Sequence, residues 1–200
     1  MKIFCLESKH LDIVIKAHLT TWGDTEFSVL LGENFVRNFY QFAIEDEYTL
    51  ALGASVSDES QLACWCLGFT RYSDFNRRLR KSLSARFYQT MGHLILTRRL
   101  PIAQLIDQIF GPKPYRTVQC KNIHLGAFGK VGHRFEEVLI LSKLVEHTAK
   151  MLCVDSTSCW AVTNIKNRGA QLILEKAKFN KTDDIRLSNR TLRVYQFPYG

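Results

Sequence analysis

Two rhythms of apolar residues run along this chain. Leu11, Ile13, Val14, Ala17 and His18 recur at helical spacing and predict a helix over residues 9–20, with Ser8 as its N-cap. Phe35, Val36, Phe39 and Tyr40 predict a second helix over about 34–42, after a turn at Gly23-Asp24 or Gly32-Glu33. Short apolar runs at 2–6, 48–55 and 62–70 read as strands, the last two joined by the turn Ser57-Asp58-Glu59-Ser60. Residues 77–100 have the pattern of one broken or two short amphipathic helices, and Pro101 opens another that Gly111-Pro112 and Pro114 end. A long strand is predicted over 117–128 and a glycine-containing loop over 129–134. A helix over 135–150 follows, with Val138, Leu141, Leu144 and Val145 inward. A strand at 160–163 precedes a helix that starts at Asn167 and carries the stripe Ala170, Leu172, Ile173, Leu174 and Ala177. Strands at 179–181 and 191–197 finish the chain.

Composition narrows the class. Two hundred residues suit one domain with a real core, and 46% hydrophobic with 23% charged residues is the balance of a globular protein. No run of eighteen apolar residues suggests a membrane span, and the N-terminus lacks the long apolar region of a secretory signal. The six cysteines sit mostly in apolar runs without zinc spacing, so we read a reduced, cytoplasmic protein with no metal site. The net charge of +8 is uneven: residues 1–70 hold four basic and ten acidic side chains, residues 71–116 ten basic and two acidic. Such a cationic segment attracts anions or solubilises a face.

The run Cys159–Phe179, CWAVTNIKNRGAQLILEKAKF, resembles the C-terminal signature of the GNAT superfamily of N-acetyltransferases. Asn167, Ala170 and Phe179 match that signature. Leu174 stands at its tyrosine, and Lys178 at its glycine. The order of elements is also that of the GNAT fold. The stretch AHLTTWGDTEFSVLLGENFVRNFY is similar to a bacterial subgroup that accompanies polysaccharide or amino-sugar genes. The resemblance implies an α/β fold: a mixed, mostly antiparallel sheet flanked by helices, in a single domain over 1–200, with a basic helical insert over 71–116 before the central strand.

It further implies transfer of an acetyl or other acyl group from acyl-CoA to a small amine by direct attack. Acetyl-CoA or another acyl-CoA would then lie along Leu125 and Ala127, its pyrophosphate on Lys130, Val131, Gly132, His133 and Arg134 and its pantetheine or phosphate near Asn167. The residues alone also allow plainer roles: a strand-to-helix turn for the loop and an N-cap for Asn167. Direct transfer needs a base for the ammonium and a donor for the thiolate. His124 on the central strand and Glu33 in an early turn are candidate bases, and Tyr195 is a candidate donor because Leu174 cannot give a proton. Two rivals remain: a transferase fed by an acidic acyl carrier protein, which the basic insert would attract, and a catalytically inactive coenzyme A- or partner-binding module. Nucleic acid is a poorer partner, since Phe75, Phe87 and Tyr88 at helical spacing read as core. A monomer or a homodimer is expected.

Overall fold

The computed structural model describes residues 1–22, 27–56, 61–83, 85–97, 123–132, 135–153, 158–188 and 190–198. Its seven strands are β1 (Lys2–Cys5), β2 (Thr49–Ser55), β3 (Cys64–Phe69), β4 (His124–Lys130), β5 (Cys159–Asn164), β6 (Asn180–Arg186) and β7 (Thr191–Phe197). They form one sheet in the order β1-β2-β3-β4-β5-β7-β6. All neighbours are antiparallel except β4 and β5, which run parallel. The described helices of more than one turn are α1 (Leu11–Thr21), α3 (Glu33–Glu45), α4 (Tyr72–Ser82), α5 (Ala85–Leu96), α6 (Phe135–Leu152) and α7 (Arg168–Lys176). A single turn, α2 (Phe27–Leu30), lies between α1 and α3. A parallel pair needs a crossover, and α6 lies between β4 and β5 in the chain. The architecture is thus the mixed, mostly antiparallel α/β sheet expected. No described helix is long and apolar enough to cross a membrane.

Helices cover both faces of the sheet. On one face Leu141, Leu144, Val145 and Ala149 of α6 and Leu174 of α7 pack on Leu52, Cys66, Leu125, Ala161 and Tyr195. On the other, Val14, Ile15, Val36, Tyr40 and Phe75 from α1, α3 and α4 pack on Ala51, Trp65, Leu67, Phe69 and Ala127. Burial pushes the thiols of Cys64 and Cys66 up to about 12, so both behave as small hydrophobes rather than nucleophiles.

Several local expectations need correction. The first helix begins with a 3-10 turn, Ser8–His10, capped by Glu7 rather than Ser8: the Glu7 carboxylate accepts from the His10 backbone, and the Glu7 N–H donates to His10 Nδ1 at 3.0 Å. The buried face of α7 uses Gln171 in place of Leu172, which is exposed. Gln171 is drawn inward because its Nε2 donates to the Ile165 carbonyl at 2.6 Å and its Oε1 accepts from Arg193 at 2.8 Å. Tyr88, read as core, is exposed. The central strand runs on to Lys130, so Gly129 and Lys130 belong to the ladder and not to a loop. Residues 101–122 and the turn 57–60 lie outside the described residues.

Candidate active site

The site is built around one irregularity in β4. Leu67 pairs with Ala127 and the next residue, Gly68, pairs with Leu125, so Gly126 is an extra residue with no partner on β3. This is a β-bulge, which bends a strand and re-aims its backbone. Only glycine fits there, because a β-carbon would overlap the Phe69 ring. On its other edge β4 pairs with β5 at just two positions, His124↔Trp160 and Leu125↔Ala161. From Gly126 onward β5 is no longer its partner, while β5 continues through Asn164 against β7. The two parallel strands therefore splay into a wedge whose base is the Leu125–Ala161 rung. Backbone N–H and C=O groups along such an edge are obligatory hydrogen-bonding groups and accept an extended ligand as an added strand.

His124 stands one rung from that base, on the closed side. It is buried, its Nδ1 lies 3.4 Å from the Leu125 carbonyl, and its ring stacks on Tyr72 with centroids 4.6 Å apart. Tyr72 also contacts Phe69, the ring that fills the space beside Gly126, at 5.3 Å. Leu125 faces the α6 side and Ala127 the α1 side, since the bulge reverses the alternation between them.

The loop after β4 is more engaged than its sequence suggests. The Val131 N–H donates to the Ala63 carbonyl at 2.8 Å, which extends the β3–β4 ladder. Lys130 Nζ donates to the Gly132 carbonyl and lies 3.9 Å from Glu137 in the first turn of α6. The Glu137 carboxylate rests where a side chain on Gly132 would be. A helix N-terminus favours an anion, and here the chain supplies one of its own. His133 and Arg134 lie outside the described residues.

Asn167 is the N-cap of α7, its Oδ1 accepting from the Ala170 N–H at 3.0 Å. At the other end Phe179 N–H bonds the Leu174 carbonyl and Lys178 N–H bonds the Glu175 carbonyl, the two bonds of a Schellman cap. Lys178 takes φ +67°, the left-handed backbone that favours glycine. Leu174 is wholly buried in the core, and Tyr195 donates its hydroxyl to Glu175 at 3.1 Å beneath α7. Burial first, and that carboxylate next, raise the Tyr195 pKa. Glu33, the first residue of α3, is solvated and paired with Arg37 at 3.2 Å. His124 and the strand residues Leu125 and Ala127 therefore gather at the wedge, Lys130, Val131 and Gly132 at its far end. Glu33 and Tyr195 are bound to partners of their own.

Three arrangements carry little signal in the sequence. Gly126 was legible only as a glycine inside a strand, Glu137 only as an acid in a first helical turn, and Tyr72 as an aromatic ahead of a basic helix. The basic insert is also partly neutralised by the fold: Arg77 pairs with Asp74 at 2.8 Å, and Arg78 pairs with Asp46 at 2.6 Å. Arg71 and Arg78 both stack on the Tyr48 ring, at 4.6 and 4.7 Å.

No protein-family model matches this sequence, and no curated protein matches it either. Solved structures do match its shape. An N-acetyltransferase from Staphylococcus aureus Mu50 superposes with a TM-score of 0.62 at 14% identity, over 98% of this chain and 100% of that one. AAC(6')-Ib in complex with ribostamycin and coenzyme A gives 0.58 at 10% identity, over 98% and 92%. A mutant spermidine N-acetyltransferase from Vibrio cholerae gives 0.54 at 8% identity, over 99% and 95%. On these superpositions the fold of this chain is that of the GNAT acetyltransferases.

Proposed function

We propose that this protein transfers an acyl group from acyl-CoA to a small primary amine within a ternary complex. The observation that carries the reading is the wedge: β4 leaves β5 at Gly126, just past the Leu125–Ala161 rung that follows His124. The pantetheine arm would pair with the freed edge of β4, which sets the thioester at the base of the wedge. An amine entering there is held against the thioester carbonyl, and positioning supplies most of the acceleration such a reaction needs. His124 is the base next to that point; Glu33 and Tyr195 are committed to Arg37 and Glu175. The nitrogen lone pair attacks the carbonyl carbon, the C–S bond breaks, and the thiolate takes up a proton. Val131, Gly132 and the α6 N-terminus would face the pyrophosphate, and Asn167 the pantetheine or phosphate portion. The acceptor belongs to the class of cationic small amines, as in the solved relatives that act on or bind such molecules.

The test is thermal melting with acetyl-CoA, longer acyl-CoAs and free coenzyme A, followed by thiol release with a panel of amines. A ligand at about 100 times its Kd stabilises by about 2.7 kcal/mol, which shifts the melting temperature by several degrees. No shift with any of them would refute the donor. A second reading, a module that binds without transferring, is favoured by the Glu137 carboxylate against Gly132 and by Leu174 at the signature's tyrosine. A melting shift without thiol release would select it.

A further inference from the structure

Acyl transfer leaves a thiolate, and α7 contains no phenol to protonate it. Leu174 is buried in the core and Tyr195 is bound to Glu175 on the α7 side of the sheet. A different tyrosine stands beside the wedge. Tyr72 opens α4, the first helix of the insert, and is half-buried. Two ring contacts fix its place beside β4. It stacks on His124 at 4.6 Å with an interplanar angle of 26°, and it packs at 5.3 Å against Phe69, whose ring fills the space beside Gly126. Tyr72 therefore stands over His124, one rung from the base of the wedge where the transfer reading puts the sulfur.

The polar surroundings of its hydroxyl suit a donor. Burial raises the phenol pKa, which keeps the proton in place at neutral pH, while the neighbouring Asn76 amide and the Arg80 charge pull it the other way. When the proton leaves, the same amide and cation stabilise the phenolate.

We propose that Tyr72 is the proton donor to the departing thiolate, supplied by the helical insert in place of the phenol that α7 lacks; this rests on the acyl-transfer reading above. The step balances within the site. The amine forms the new C–N bond, the C–S bond breaks, the sulfur takes the Tyr72 proton, and the proton released by the amine passes through His124 to the phenolate. No external oxidant, reductant or metal takes part.

Tyr72→Phe keeps the ring, its stack on His124 and its contact with Phe69, and removes only the hydroxyl. Thiol release would be measured with acetyl-CoA as donor and spermidine, glucosamine and hydroxylamine as acceptors. The variant should lose about 100-fold in kcat, the scale of general acid catalysis, with the KM for acetyl-CoA and the melting temperature nearly unchanged. A second donor, the acetyl thioester of p-nitrothiophenol, has a leaving group that needs little protonation. With it the deficit should shrink to within a few-fold of wild type, which a merely structural loss could not produce. Equal kcat for wild type and variant, or the same deficit with both donors, would overturn the assignment. Wild-type protein that releases no thiol above buffer with any acceptor would overturn the transfer reading itself, and this assignment with it.

Discussion

The central strand is built differently along its two edges. Toward β3, β4 pairs at six positions from His124 to Lys130, and Val131 adds one more bond to Ala63. Toward β5 it pairs at two positions and then parts. Behind the β3 edge lies a buried polar chain. The Trp65 indole N–H donates to Tyr40 Oη at 3.0 Å, Tyr40 meets His18 Nδ1 at 3.0 Å, and His18 Nε2 meets Ser28 at 2.9 Å. One tautomer satisfies every group: Tyr40 donates to Nδ1 and the Nε2–H donates to Ser28, which leaves His18 neutral. Among the described residues, the β5 edge of β4 pairs only as far as Leu125. One side of β4 is thus an anchor, and the other is where the proposed acyl-CoA would pair. A sheet can give up hydrogen bonds along one edge when the opposite edge holds the strand in place.

The sharpest way to break this contrast is at the bulge. Gly126→Val forces a side chain into the Phe69 ring and should cost about 3 kcal/mol, while abolishing any acyl-CoA-induced rise in melting temperature. Urea unfolding and melting curves with ligand would check both; a variant that still binds would remove the bulge from the mechanism.

The anchored side can be tested by acid. Burial lowers the His18 pKa to about 4 from an ordinary 6.5. The folded state therefore resists protonation where the unfolded chain accepts it. Stability is full above about pH 6.5 and falls as pH drops toward 4, by roughly 3 kcal/mol over the whole interval. His18→Gln should flatten that part of the urea-midpoint profile, and an unchanged profile would show that the chain to Trp65 is not what titrates.

The open side yields smaller effects. Asn167→Ala removes the α7 cap and should cost about 1 kcal/mol. Asn167→Asp keeps an N-cap acceptor but adds negative charge; if it retains stability and loses coenzyme A affinity, Asn167 touches an anionic part of the ligand. Glu137→Gln removes the resident carboxylate beside Gly132 and frees Lys130, so coenzyme A should bind about three-fold tighter by calorimetry, some 0.6 kcal/mol. Weaker binding would mean that Glu137 orders the loop rather than competing for it. Lys178→Gly relieves a left-handed lysine at the end of α7 but loses its 2.8 Å pair with Glu146. The net should be a gain of about 0.5 kcal/mol in unfolding free energy.

Much of the fold was legible because local rules and tertiary packing agree. Thr191–Phe197 and the Asn167 cap coincide with their predictions, since strand alternation and N-capping depend on neighbours along the chain. The helix from Phe135 shows the predicted inward Leu141, Leu144 and Val145 for the same reason. Lys178 at the signature's glycine even marks the position where the backbone turns left-handed.

What the chain could not show in one dimension depends on residues distant in sequence. Gly126 is a bulge only because Leu67 and Gly68 lie opposite it and Phe69 fills its side-chain space. Lys130 reads as a free phosphate ligand until Glu137 folds against Gly132. Arg78 reads as part of a docking surface until Asp46 reaches it, and Tyr72 is one aromatic among many until α4 lays it on His124. Periodicity and capping are written in spacings of two to four residues, so the sequence alone determined most of the described elements, their order and the cap at Asn167. Pairing register, charge neutralisation and ring stacking join residues tens of positions apart, so only the tertiary structure decided where the sheet opens and which side chains stand at the opening.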